Sequence, residues 1–212
     1  MSARAKRRAG RASIGRGQGK RPERVRKPRA DALRNRDRLL EAAKASFASA
    51  GADVSLDEIA RRAGVGIGTL YRHFPTRDAI VEAVYRREVE QLADAANRLT
   101  GTLPPGEALH AWMRLFVDYI ATKRVIAPAL KAMVGGASEL YASSGARITD
   151  AMAAMVERAR SAREIRADAD PADLLRALAG FTHFNAGPDW EASARRLIGI
   201  LMDGLRAQPQ AR

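Results

Sequence analysis

Between Gly66 and Arg77 the sequence reads GIGTLYRHFPTR, and Thr69, Tyr71, Arg72, His73 and Arg77 put hydroxyls, an imidazole and two guanidinium groups into one short run. Such donors, with no acid among them, suit the oxygens of phosphate. A second concentration of charge lies at the start of the chain. Residues 1–30 hold twelve Lys or Arg against Glu23 alone, which makes +11 of a total of +13 over 212 residues. A basic segment on a nearly neutral remainder points to a polyanionic partner. Other chemistry has little support. The chain has no Cys, so disulfides, Cys-based zinc sites and thiol catalysis are excluded. His73, His110 and His183 are its only histidines, and none sits in a metal-binding or acid–base motif. No catalytic residue, metal or cofactor is expected.

The elements that must position the donors can be read from local signals. Ser55 can cap a helix that begins at Leu56, with Glu58 three residues on to close a capping box and Val54 placed to staple onto Ile59. Gly64 suits the left-handed backbone just past that helix. Gly66 then starts a second helix, which Pro75 stops after Phe74. Leu70 and Phe74 share its inward face, leaving Gly68, Thr69 and Arg72 outward with Tyr71 and His73 on the borders. Two short helices about a glycine turn describe a helix-turn-helix. Ahead of it, Leu39, Leu40, Ala43 and Phe47 mark a helix over 31–50, whose start carries Arg34, Arg36 and Arg38. Behind it, Thr76 caps a long helix from Arg77 to Leu99, lined by Ile80, Val84, Tyr85, Val89, Leu92 and Ala96.

Further helices are expected over 107–121, 124–134, 138–162, 171–185 and 189–205. The chain is therefore all-α with about nine helices. Residues 1–30 hold almost no large apolar side chain and are expected to be a disordered arm. Residues 31–78 form an N-terminal helix-turn-helix domain, 79–207 a C-terminal helical domain for ligand binding and dimerisation, and 208–212 a tail. No apolar run reaches membrane-span length and no signal-peptide segment is present, so a cytoplasmic protein without membrane contact is expected.

The run SLDEIARRAGVGIGTLYRHFPTRDAIVEAV goes beyond a generic motif. It resembles the signature of the tetracycline-repressor (TetR) family of bacterial transcriptional regulators, matching at Ile59-Ala60, Ala63-Gly64-Val65, Gly68-Thr69-Leu70-Tyr71, His73-Phe74 and Arg77. The resemblance spans about Arg36 to Glu90. It implies a nucleoid-associated regulator, most often a repressor, that holds a palindromic double-stranded DNA operator as a homodimer and is released by a small-molecule effector. Carried over to this chain, it puts Thr69, Tyr71, His73 and Arg77 on phosphates, Ser55 near the sugar-phosphate chain and Arg36 on the helix laid against the backbone. Base reading falls to Gly66, Ile67 and Arg72. Family members often have Ser where Gly66 stands, so one hydroxyl is missing here.

The last two helices resemble the segments that pair across the family's two-fold axis, with Phe181, Leu197, Ile198, Leu201 and Leu205 as the apolar seam. Trp112, Phe116, Tyr119, Met133, Met152, Met155 and Phe184 suit the wall of a pocket for an apolar or amphipathic effector, although each residue type taken alone is more often core than pocket wall. His110, Arg147, His183 and Asn185 are the polar groups that such a pocket could use. The stretch TKRVIAPALKAM looks like an actinobacterial-type subgroup and names no ligand. The alternative is a ligand-independent or architectural DNA-binding protein led by its basic arm. The arm itself has two readings, a minor-groove contact or a solubilising tail. Deleting residues 1–28 tests the first, because fewer counterions would be released on binding. The expected outcome is weaker DNA binding with a shallower dependence of affinity on salt; an unchanged slope rejects the contact.

Overall fold

The computed structural model describes residues 28–133, 138–183 and 187–207. They form eight helices: α1 (Pro28–Ala50), α2 (Leu56–Ala63), α3 (Ile67–His73), α4 (Arg77–Thr100), α5 (Pro105–Ala132), α6 (Ser138–Ser161), α7 (Pro171–His183) and α8 (Trp190–Leu205). Among the described residues there is no strand, only an isolated bridge between Ile165 and Arg206 that ties the end of α8 to the α6–α7 connection. No described helix is long and apolar enough to cross a membrane. The fold is all-α, as the periodicities predict. Residues 1–27 and 208–212 lie outside the described residues, so most of the arm and the tail do too. The arm's expected end at 30 overlaps α1, which begins at Pro28.

The helix count differs from expectation at one place. The two helices expected over 107–121 and 124–134 are a single α5 that runs through Pro128. Proline adds no N–H to the helical ladder and normally breaks or kinks it. Here Pro128 is exposed, while Ile126 and Leu130 on either side of it are fully buried. Their packing holds the helix through the defect. The Ser143-Ser144-Gly145 weak point in α6 is also spanned. Ser144 is buried and its Oγ donates to the Leu140 carbonyl at 2.6 Å, satisfied within its own helix.

The caps follow the sequence closely, with one difference. Ser55 Oγ accepts from the Glu58 amide at 3.1 Å, and Thr76 Oγ1 from that of Ala79 at 3.1 Å. Asp170 Oδ1 accepts from the amides of Ala172 (2.7 Å) and Asp173 (3.1 Å) at the start of α7. The capping box at α2 is only half built. Glu58 turns instead to Arg61, at 2.9 Å and 2.6 Å, and that guanidinium holds its carboxyl below the usual carboxylate range.

One continuous cluster of buried apolar side chains runs from Leu39 to Leu205. Helix α4 lies at its centre. Ile80, Val81, Val84, Tyr85, Val89, Leu92, Ala95 and Ala96 are all buried, and Trp112 of α5 donates its Nε1–H to the Leu92 carbonyl at 2.8 Å. Polar ties fix α4 to α1. Lys44 Nζ meets the buried Glu88 carboxylate at 2.6 Å, and Arg87 reaches Glu41 Oε1 at 2.6 Å and the Asp37 carbonyl at 3.1 Å.

The α2–α3 corner depends on Gly64, at φ 64° and ψ 38°, which lets the Val65 amide close back on the Ala60 carbonyl at 3.0 Å. A Cβ there would lie 2.6 Å from Arg38 Nη2 as well as strain the backbone, whereas one at Gly68 meets nothing within 4 Å. Gly64→Ala is therefore expected to lower stability by about 1–2 kcal/mol in urea unfolding. Gly68→Ala, inside α3, is expected to raise it by up to about 1 kcal/mol.

Candidate nucleic-acid interface and effector cleft

Leu70, fully buried, and Phe74, nearly so, anchor α3 on the core, and Val65 and Ile67 pack partly against it. This anchoring turns the opposite side of α3 to solvent. Tyr71 is 49% exposed, a high value for a large aromatic side chain on a packed helix. Arg72 and the two glycines at 66 and 68 are exposed, and Thr69 and His73 are half-buried at the margins. His73 leans on Phe74, ring centres 6.3 Å apart. The α3 residues expected to meet DNA therefore do share a surface or its edge. Ile67 offers only part of its side chain, since the rest is packed.

The supporting cations divide into two groups. Arg36 is exposed on α1, its guanidinium 5.4 Å from the centre of the Phe74 ring, which brings it beside α3. Arg34 pairs with Asp31, and Arg38 reaches the Gly64 carbonyl at 3.2 Å. Arg77 differs from expectation. Its guanidinium donates to the carbonyls of Ala52 (2.5 Å) and Val54 (2.6 Å), and the side chain is half-buried. In this structure Arg77 is a strut that bolts α4 to the α1–α2 connection. Ser55 is exposed; its oxygen caps α2 and its O–H remains a donor.

A cleft of about 710 Å³ opens between α4, α5, α6 and α7. Phe116 and Tyr119 line it, as expected. Trp112, Met152 and Met155 do not; they are fully or almost fully buried in the core, where their bulk is used for packing. Met133 is half-buried against that core and also off the cleft, and Phe184 lies outside the described residues. Of the polar candidates, Arg147 reaches Glu90 at 3.5 Å instead, His110 is not in the lining, and the His183 side chain and Asn185 fall outside the described residues.

Several lining residues were not anticipated, among them Tyr85, Lys123, Lys131, Tyr141 and Ile148. Tyr119, Lys123, Ala127 and Lys131 recur every four residues along one face of α5. That register was lost when the helix was expected to break at 121–124. Tyr85 and Tyr119 hydroxyls meet at 3.2 Å, and Tyr85 and Tyr141 pack edge to face with ring centres 5.6 Å apart. Burial first, then the Tyr85 hydrogen bond, pushes the Tyr119 hydroxyl above the usual tyrosine range; burial and Tyr85 do the same for Tyr141. Both are neutral donors at physiological pH.

The expected dimer seam separates into two faces of α8. Ile198 and Leu205 point inward with Ala194 and Met202, all buried within the protomer. Leu197 and Leu201 are half-buried and Ile200, between them, is 67% exposed. With Gly204 these form an i, i+3, i+4, i+7 stripe along the more exposed side of α8, although Leu201, like the half-buried Phe181 of α7, also packs partly against the core.

Comparison with known proteins bears on both halves. Residues 39–84 match the family model described as bacterial regulatory proteins, tetR family, and residues 104–207 match the C-terminal domain of SbtR-like transcriptional regulators. Curated HTH-type transcriptional regulators of Staphylococcus aureus are 39% and 38% identical over 62 and 63 residues. Those alignments take in 29% of this chain and span only about a third (34%) of the relatives' length. Solved structures extend the likeness to nearly the whole fold. A TetR transcriptional regulator from Streptomyces coelicolor is 45% identical with a TM-score of 0.76, covering 82% of this chain and 99% of that one. A TetR regulatory protein from Mycobacterium vanbaalenii is 38% identical with a TM-score of 0.68, covering 84% and 98%. Identity at that level, sustained from the helix-turn-helix to the end of α8, means that the chain belongs to the tetR family of bacterial regulatory proteins and is a helix-turn-helix transcriptional regulator.

Proposed function

We propose that the protein is a homodimeric repressor that holds a palindromic operator in the bacterial cytoplasm and releases it when a small molecule enters the α4–α7 cleft. The observation that carries this reading is the placement of Arg77 and Tyr85 on one helix. Arg77 bolts the first turn of α4 to the reading head, and Tyr85, eight residues and roughly 12 Å further along the axis, lines the cleft. A ligand that prefers one tilt of α4 thereby prefers one position of the head. Binding shifts the population of that tilt rather than creating it. Two heads must address half-sites about 34 Å apart or a multiple of it. A tenfold change in operator affinity requires only about 1.4 kcal/mol of such preference.

On the DNA side we assign Tyr71, Thr69 and His73 to phosphates, with Arg36 beside them and Ser55 donating through its spare O–H. Arg72 and the exposed part of Ile67 are assigned to base edges, Ile67 to a thymine methyl. Sequences selected by the protein from a random DNA pool supply the operator for the tests. A palindrome with regular half-site spacing supports the dimeric repressor; binding with no sequence preference supports the architectural reading led by the basic arm. Tyr71→Ala is expected to weaken binding about tenfold on every sequence, by loss of one phosphate contact. Ile67→Ala is expected to relax preference at one base pair. Fluorescence anisotropy over the operator and its single-base variants separates them, and equal, sequence-blind losses reject the role of Ile67.

For the dimer we assign the outward stripe of α8, Leu197, Ile200, Leu201 and Gly204, together with Phe181. Ile200→Glu tests it without disturbing the protomer core, because Ile200 is largely exposed. The expected result is a monomer in sedimentation velocity with operator affinity lowered by ~100-fold or more, since a lone head makes half the contacts. A stable dimer would place the interface elsewhere.

A further inference from the structure

The polar groups of the cleft are concentrated at one point. Lys123 Nζ lies 4.8 Å from the Tyr141 ring centre and 5.9 Å from those of Tyr85 and Tyr119. Three rings thus surround a half-buried ammonium. Their electron-rich faces offset part of what the ammonium loses on leaving water, but they carry no negative charge. No Asp or Glu is among the described lining residues, while Lys131 adds positive charge along the same helix. A second donor lines the same cleft. The Tyr85 and Tyr119 hydroxyls share one hydrogen bond. Two O–H groups hold two protons, and that contact uses one, so a phenolic proton remains to be donated. The rest of the wall is apolar, with Phe116, Ile120, Ile148 and Leu175. The volume of about 710 Å³ falls within the ~300–1,000 Å³ range of small-molecule sites.

Resting on the effector reading above, we propose that the cleft takes an amphipathic carboxylate, its apolar body against Phe116, Ile120, Ile148 and Leu175 and its headgroup accepting from the Lys123 ammonium and the spare Tyr85–Tyr119 proton. An anion supplies the countercharge that the walls lack. A neutral ligand of the same shape leaves Lys123 uncompensated in a partly dry site, and a cationic one adds like-charge repulsion.

Four probes with the same ten-carbon chain test this by calorimetric titration of the full chain: decanoate, decyl phosphate, 1-decanol and decylammonium. Decanoate is expected to bind about tenfold tighter than decanol, with decylammonium weakest. Lys123→Met is expected to abolish the preference, with decanoate weakened and decanol bound at least as tightly as before, while Lys123→Arg keeps the preference. The proposal is overturned if decanol equals decanoate, if decylammonium or decyl phosphate binds tightest, if Lys123→Met keeps the preference, or if none of the four binds. Circular dichroism reports whether Lys123→Met folds, and if it does not, the four-probe comparison on the unmodified chain decides. Adding decanoate to the protein on its selected operator separates this proposal from the function it rests on. Release supports both. Tight, Lys123-dependent binding without release keeps the ligand class and rejects the release step.

Discussion

Arg77 ties the first turn of α4 to the backbone between α1 and α2 through two short bonds from one guanidinium. A planar fork on two carbonyls fixes a direction as well as a distance. Helix α4 then runs unbroken to Thr100 through the densest part of the core. Its two ends therefore cannot be repositioned independently. Whatever sets the angle of α4 against α5 also sets the angle of the helix-turn-helix. Without those two bonds the α1–α2 connection would lose its directional tie to α4, leaving the polar ties of Lys44 and Arg87 between α1 and α4 further along the helix.

The seam that sets this angle contains buried polar groups that must all be satisfied together. Glu88 of α4 is buried, and its carboxylate is met by Lys44 of α1 at 2.6 Å and by the Thr122 hydroxyl of α5 at 3.3 Å. One helical turn away on the same two helices, Tyr85 meets Tyr119. Glu88 is buried while Lys44 is partly exposed, so losing Lys44 leaves a largely desolvated carboxylate without its countercharge. The contacts at Glu88 therefore favour arrangements in which the three helices meet there. Intermediate tilts that stretch these contacts are unfavourable, and close-packed interfaces of this kind move between discrete positions. A ligand at Tyr85, Tyr119 and Lys123 acts next to that junction.

Most of the fold was legible because it rests on local signals. Ser55, Thr76 and Asp170 are caps whose geometry needs only a few neighbouring residues, and Gly64 answers a backbone requirement inside one turn. What was not legible depends on tertiary context. The expected break between 121 and 124 is absent, and α5 continues through Pro128 because Ile126 and Leu130 are buried on either side of it. Only an unbroken α5 puts Tyr119, Lys123 and Lys131 in one register on the charged side of the cleft. Methionine and aromatic content could not separate wall from core, because Trp112, Met152 and Met155 have the same composition in either role and differ only in what covers them. Likewise, Ile198 and Ile200 differ by two positions on α8, and only the placement of α5 and α7 decides which of them faces in. On the DNA side the helical register sufficed to put Arg72 on the exposed side of α3 and Tyr71 at its border, but nothing in the type of Arg77 foretells its bonds to the carbonyls of Ala52 and Val54.

The reading head bears on how this protein selects DNA. Gly66 and Gly68 leave open space where other side chains would project, which would let the α3 backbone approach the floor of the groove and, under the proposed assignment, leaves base edges to Ile67 and Arg72. Under the assignment proposed above, Tyr71, Thr69 and Arg36 grip phosphate, which carries no sequence information directly. Discrimination then falls to methyl packing at Ile67, to the fixed spacing of two heads, and to DNA shape. Twelve of the chain's 37 cations lie within its first 30 residues, and any grip they provide is electrostatic and weakens steeply with salt. Apolar contact at Ile67 and the geometry of the heads are much less sensitive to ionic strength. Rising salt should thus strip the nonspecific share of the affinity first and leave the spacing-dependent share more visible, which gives α4, as the element that sets that spacing, the most leverage under the ionic conditions of a cell.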